Sequence, residues 1–348
     1  MAKAIVLKEP EKLERFLSRR RLDGRVVDML KAAKDAHDLK RGEITTAQSA
    51  TYSKLTEDLI KAVNQGWVGR DSVVAMLDNS EIAGRQHVCV FQLPTTGQGK
   101  ILDVLRAPHT VYSGPVSIEE FYEVPSHSMA RIIKDTADEV IVKIVAQRSY
   151  WTSELLKDLP DEQLIKRLRH QERSALILTC NKQAGLLQVR VQPREKAQAD
   201  TAKNVNDFMM DTIKAHYDVK PKSWFYQLRF FPIADTFPKL LKNKAEFVLK
   251  YDTPEDNEIK ASMFRKGDHK DGADLRDDPR WSYSSGYSRN SLRGVWKCKG
   301  GGEVYLHLNQ DAIRISATTT VDVARVFVPG LCSDKDLDHA IRRIHEHL

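Results

Sequence analysis

Little in the 348-residue sequence announces an enzyme or a membrane protein. No run approaches 18 apolar residues, which excludes a helical membrane span. The opening residues MAKAIVLKEPEKLERF lack the apolar core of a secretory signal, so none is expected. Cysteine is sparse: Cys89, Cys180, Cys298 and Cys332 are far apart, and no two fall at metal-ligand spacing. Buried, reduced thiols of an intracellular protein are the expected state. The expected compartment is the cytoplasm, or the nucleus in a cell that has one. Internal repeats and low-complexity tracts are also missing.

Catalytic motifs are equally scarce. TTGQGKI ends in Gly-Lys, but Pro94 stands where a phosphate-binding loop needs its first glycine. Ile101 also replaces the hydroxyl that would hold Mg²⁺, and the segment reads as a hairpin or loop. His339, His345 and His347 are spaced six and two apart, which cannot place ligands on one helical face; they read as a solvated helix end. His87 lies in a strand-like run and reads as a hydrogen-bonded core histidine. His127, in PSHSM, lacks the G-x-S-x-G context of a hydrolase. The acid run Asp268, Asp271, Asp274, Asp277 and Asp278 lacks the pattern of a calcium loop and reads as solvated. One degenerate constellation is left. Asp252 at the end of EFVLKY, with Glu258 and Lys260 in EIKASMF, has the order of a metal-dependent nuclease. No other metal site and no cofactor is expected.

What is present is an ordinary globular composition, 41% hydrophobic and 30% charged, with a net charge of +7. To about residue 80 the periodicity is helical. Leu13, Phe16 and Leu17, then Val26, Val27 and Leu30, then Tyr52, Leu55, Leu59, Ile60 and Val63 form stripes, and Asp71 can cap a fourth helix. From QHVCVFQL the texture changes to strand-like runs at 86–93, 139–146, 174–180, 186–192, 224–231, 246–251, 303–308, 312–317 and 324–328. Helical patterns intervene at 161–172, at 200–217 and at the C-terminus. This predicts an α+β protein: a helical domain over 1–80, then an α+β domain over 85–348 with a mixed or antiparallel sheet. A polar, exposed insertion is expected around 253–290.

Positive charge is concentrated in SRRR (18–21), KRLRHQER (166–173), KPKSWFYQLRFF (220–231) and RWSYSSGYSRNSLRGVWKCKGGG (280–302). Read as a helix, the second stretch puts Lys166, Arg169 and Arg173 on one face. Arg19, Arg20 and Arg21 suit the negative end of the first helix. In the last stretch Arg280, Arg289, Arg293, Lys297 and Lys299 interleave with Tyr283, Tyr287 and two tryptophans, without a carboxylate. Cations attract phosphates and exposed rings stack on bases, so these residues, with Lys220 and Lys222, are candidate nucleic-acid contacts. Trp296 alternates with Leu292 and Cys298 and is expected in the core.

The order of a helical domain, a linker into QHVCVFQL (86–93) and an α/β body resembles the centromere protein N family. That resemblance implies a death-fold type N-terminal domain, DNA and nucleosome binding, and no catalysis. The expectation is a non-enzymatic binder of duplex DNA, or of RNA, whose helical domain serves a protein partner. The alternatives are the nuclease above and a module that meets an acidic protein.

Overall fold

Helix α1 (Pro10–Arg20) opens on proline, where a missing N–H costs nothing, and carries Glu11 in its first turn and Arg19 and Arg20 in its last. Leu13, Phe16 and Leu17 bury one stripe of it. Arg21, at φ 53°, turns the chain into α2 (Asp23–Ala36), which buries Val26, Val27, Leu30 and Ala33. Helix α3 (Tyr52–Asn64) is capped by the Thr51 hydroxyl, which accepts from the Lys54 amide at 3.3 Å. Helix α4 (Arg70–Ala83) is capped by Gly69; Asp71 lies inside its first turn instead of capping it. The four helices close on one apolar core, and Ile118 and Phe121, from beyond the first strand, complete it.

The computed structural model describes residues 10–94, 96–114, 116–159, 162–194, 201–219, 225, 228–255, 265–266, 274, 276, 288–298, 302–314, 320–330 and 332–347. Among these, strands begin at β1 (Gln86–Gln92) and continue through β2 (Met129–Asp135), β3 (Glu139–Leu159), β4 (Glu162–Asn181), β5 (Leu186–Val191) and β6 (Arg229–Phe230). The second half holds β7 (Phe247–Glu255), β8 (Arg265–Lys266), β9 (Ser288–Lys297), β10 (Glu303–Arg314) and β11 (Thr320–Val328). They form one 11-stranded sheet in the order β2-β3-β4-β5-β1-β11-β10-β9-β7-β8, with β6 on the end of β1. Every pairing between these strands is antiparallel. The protein is α+β.

The two faces of the sheet are covered differently. One face carries Val88, Val90, Leu306, Leu308, Val326 and Trp296 against α7 (Phe237–Lys242) and α8 (Asp334–Glu346). On the same face Ile141 and Ile177 meet Ile82 of α4. The other face carries Cys89, Phe91, Val142, Leu178 and Val189 against α5 (Gln98–Leu105) and α6 (Ala202–His216). The TTGQGKI segment is therefore not a hairpin: Gly97, at φ 88°, leads into helix α5, which buries Ile101, Leu102 and Leu105. No helix among the described residues is long and apolar enough to cross a membrane.

The larger correction concerns the helix expected at 161–172, of which residues 162–172 form strand. β3 and β4 run as a hairpin from Glu139↔Asn181 out to Leu159↔Glu162. Its outer rungs extend beyond the last β5 pair, Leu176↔Val191, as a two-stranded ribbon. Trp151, Leu155, Leu164 and Ile165 are at least half exposed on it. Within the strand expected at 224–231, Arg229–Phe230 is strand among the described residues, and 303–314 is one strand where two short runs were expected.

Within the insertion expected to be exposed, Asp274 and Arg276 are buried. Arg276 donates to Asp274 at 2.7 Å and to the carbonyls of Leu240, Leu241 and Phe247. Asp274 is thus a structural partner and not a solvated acid. The C-terminal histidines are likewise packed: His347 Nε2 lies 3.1 Å from Asn243 Nδ2, and His345 lies against Phe231.

Charges hold the helical domain to the sheet. Glu81, near the end of α4, is buried, and three cations surround its carboxylate. Arg173 of β4 engages it with both terminal nitrogens, Lys143 of β3 lies at 2.5 Å, and Arg20 of α1 lies at 3.8 Å. Phe121 fits beneath, with the Lys143 and Arg173 cations 4.9 and 5.5 Å from its ring centre. Burial alone would raise the Glu81 carboxyl, but Arg173, then Lys143 and Arg20, overturn this and hold it well below the carboxylate range. Burial lowers the Arg20 guanidinium to about 9, an effect that Glu81 opposes, so it stays charged at neutral pH.

Glu81→Gln leaves these cations with one fewer counter-charge. It should cost about 3–5 kcal/mol of stability in urea unfolding at neutral pH. Because the folded-state pKa is depressed from 4.5, the Glu81 contribution is complete above that pH and is lost as pH falls below it. The gap between wild type and variant should therefore narrow in acid. A gap that stays constant to low pH would contradict this assignment.

Candidate nucleic-acid interface

The stripe of α1 that faces away from the bundle core carries Lys12, Arg15 and Arg19 at spacings of three and four, which aligns them along the helix. They line a cleft of about 310 Å³ whose other wall includes Phe121, Tyr122, Gln171 and Glu172. Arg19 is fixed at the base, donating to the Pro193 carbonyl and standing 3.8 Å from the buried Glu172. Gln171 pairs with Ser149 in the ribbon. The next rungs outward on the same face are Trp151↔Arg169, Ser153↔Arg167 and Leu155↔Ile165. Basic side chains therefore continue from α1 onto one face of the ribbon, with Trp151, 64% exposed, among them. Beyond them the ribbon turns apolar through Leu155, Leu156, Leu164 and Ile165, a patch of the kind that marks a contact surface.

The strand assignment separates the three cations that a helix would have aligned. Arg169 is exposed and belongs to the cleft face. Arg173 lies on that face too, but it is buried on Glu81 and serves the domain junction instead of a phosphate. Lys166 is exposed on the opposite face, across from Glu154. That opposite face is ordered near its base: the Tyr150 ring stacks on His170 at 5.1 Å, and Thr152 Oγ1 lies 2.7 Å from His170 Nε2.

The 280–302 stretch resolves into β9 and flanking residues. Trp296 is fully buried against Phe247, at 6.0 Å between ring centres. Gly294 fits the same site because a Cβ there would come within 2.4 Å of the Phe247 ring. Arg293 and Lys297 project from the other face of β9 and are exposed. Arg289 pairs with Pro254 of β7 through the ladder. Lys220, Lys222, Arg280, Tyr283, Tyr287 and Lys299 lie outside the described residues. Asp252 is in β7, opposite Leu292 and Arg265. Glu258 and Lys260 also lie outside the described residues, which show no group of three or more metal-binding side chains.

One rung of the sheet joins Arg293 to His307 on β10, Phe327 on β11 and His87 on β1. The His87 and Phe327 rings are 4.8 Å apart, and those of His307 and Phe327 are 5.4 Å apart. Arg85 stands over Phe327 at 5.9 Å, and Arg325 Nη1 lies 3.4 Å from His87 Nδ1. His87 is buried, as its strand context predicts. Burial and the neighbouring Arg293 lower the His307 imidazole to about 4, so it is neutral at physiological pH. Tyr305, across from Val295 beside this rung, is 52% exposed.

This sheet face is opposite the one on which α4 and the ribbon cleft lie. The four basic stretches thus do not gather on one surface among the described residues. Lys12 and Arg15 line the cleft and Arg167 joins Arg169 on the ribbon face that extends from it, while Arg85, Arg325 and Tyr305 join Arg293 and Lys297 on the sheet. Sequence reasoning missed these added residues, because only strand register and the packing of α1 bring them together.

No protein-family model matches the sequence, and no curated protein or solved structure is significantly similar to it.

The contrast within β9 is testable. Trp296→Ala should lower stability by about 3–5 kcal/mol in denaturant titration. Arg293→Ala and Lys297→Ala, on the exposed face, should each stay within about 0.5 kcal/mol of wild type. Equal losses for all three would contradict the orientation of the strand.

Proposed function

We propose that the protein is a non-enzymatic nucleic-acid-binding protein that holds duplex DNA in the cleft between α1 and the β3–β4 ribbon. One observation carries this reading. The α1 stripe Lys12, Arg15 and Arg19 lines the same cleft as the ribbon face that bears Arg169 and Arg167. Cations from two rigid elements can then follow phosphates, and each neutralised phosphate releases counterions. A two-stranded ribbon also has the dimensions of a major-groove reader, and Trp151 supplies a ring beside Arg169. Burial of Glu172 at the cleft base, against Arg19, leaves the exposed charge of the walls positive. The reading agrees with what the resemblance to centromere protein N implies, and a protein contact of the helical domain is compatible with it.

Arg15→Ala with Arg169→Ala removes one exposed cation from α1 and one from the ribbon face beyond the cleft. The double variant should fold normally, bind duplex DNA more weakly, and lower the slope of log affinity against log salt by about two. Unchanged affinity and slope in a folded double variant would remove the cleft from the reading.

A further inference from the structure

The rung Arg293, His307, Phe327 and His87 is unlike the rest of its sheet face. Towards α6 that face is apolar and sealed by Cys89, Phe91 and Val323. Two residues along β11 from Val323 it changes to Arg325 and then Phe327, and beside them Tyr305 is 52% exposed. Arg85, Arg293 and Lys297 are exposed and Arg325 is half-buried, and Glu303 pairs with Lys297 across the ladder.

An apolar protein partner would not need four cations beside the ring of Tyr305, and an acidic peptide would not need that exposed ring. A nucleic-acid strand uses both, because its phosphates meet the cations and its bases stack on rings. In a duplex the base faces are already occupied by neighbouring bases, so rings lying on a sheet favour an unpaired strand. Adjacent strands are about 4.8 Å apart, so Arg293, His307 and Phe327 form a row about 10 Å long that ends at the buried His87. His307, neutral at physiological pH, can stack or hydrogen-bond without adding charge.

We infer that the sheet face formed by Tyr305, Phe327, Arg293, Arg325, Lys297 and Arg85 is a second site that binds single-stranded DNA, separate from the duplex cleft. The choice of DNA over RNA rests on the cleft reading above; the site itself rests on this face alone.

The test compares binding of a short fluorescent oligothymidylate, by anisotropy, across four forms of the full chain. Tyr305→Ala with Arg293→Ala should weaken oligothymidylate binding by about tenfold or more, from one lost stack and one lost phosphate contact. Its duplex affinity should remain that of wild type. Arg15→Ala with Arg169→Ala should do the reverse. Circular dichroism confirms folding in each case, and Tyr305→Phe, which keeps the ring, should restore most of the single-strand affinity in the Arg293 background.

Three results would overturn the proposal: no oligothymidylate binding by wild type at low salt, loss of that binding only in the Arg15/Arg169 variant, or displacement by polyglutamate as readily as by unlabelled oligothymidylate. The last would identify an acidic protein segment as the occupant. Binding of oligouridylate without oligothymidylate would likewise overturn the choice of DNA. Because the two double variants are read separately, failure of the cleft and failure of this face give different patterns.

Discussion

A single buried carboxylate organises the molecule. Glu81 lies at the meeting point of α1, α4, β3 and β4, and Arg20, Lys143 and Arg173 reach it from three of these elements. An isolated charge of either sign would be too costly there, so each group is tolerable only because the others are present. Asp78, one turn earlier on α4, extends the cluster by accepting from Lys143 at 2.5 Å and from Arg131. Phe121 completes it by crossing from the sheet body into the helical core, 6.0 Å from Phe16. The result fixes α1 beside the base of the ribbon, and the cleft exists because of that placement. Another buried arginine repeats the device: Arg190 of β5 donates to the Ile82 carbonyl at 2.9 Å and to Asp334 at 2.5 Å, joining α4 and α8 on one face of the sheet.

These pairings change how the net charge is to be read. Arg20, Arg148, Arg173, Arg190 and Arg276 are all buried and spend their charge on carboxylates or backbone carbonyls. A surplus of +7 therefore says little about surface potential until the interior arginines are set aside. Of the three cations in KRLRHQER that a helix would have aligned, one is structural and two face opposite ways. Local clustering in sequence does not mean clustering in space.

Legibility in the sequence followed burial. The N-terminal helices have one buried face each, so Leu13, Phe16, Leu17, Leu55 and Leu59 show the helical period clearly. The central strands are buried on both sides and show as the continuous runs HVCVF and ALILTC. Residues 162–172 look helical in sequence because the ribbon they belong to has little core on either face. Without a buried side there is no alternation to see, and Leu164, Ile165 and Leu168 fall by chance at helical spacing. Helix α5 was hidden by glycines and threonines, although Ile101, Leu102 and Leu105 carried its signal. Trp296 was placed correctly because its strand alternates. The partners of Arg293 could not be read at all, since they sit on β10, β11 and β1 and only long-range register brings them alongside. Arg15 and Lys12 were passed over for a related reason, as a basic helix face is usually only a solvated one.

The cleft proposed for duplex DNA depends on a buried acid, and that dependence separates the proposal from a simple charge effect. Glu81→Gln raises the net charge by one, so binding governed by overall charge should tighten slightly. If the cluster builds the cleft, duplex DNA affinity should instead fall in a Glu81→Gln protein that circular dichroism shows to retain its helices and sheet. Duplex affinity equal to or above that of wild type in that folded variant would contradict the account.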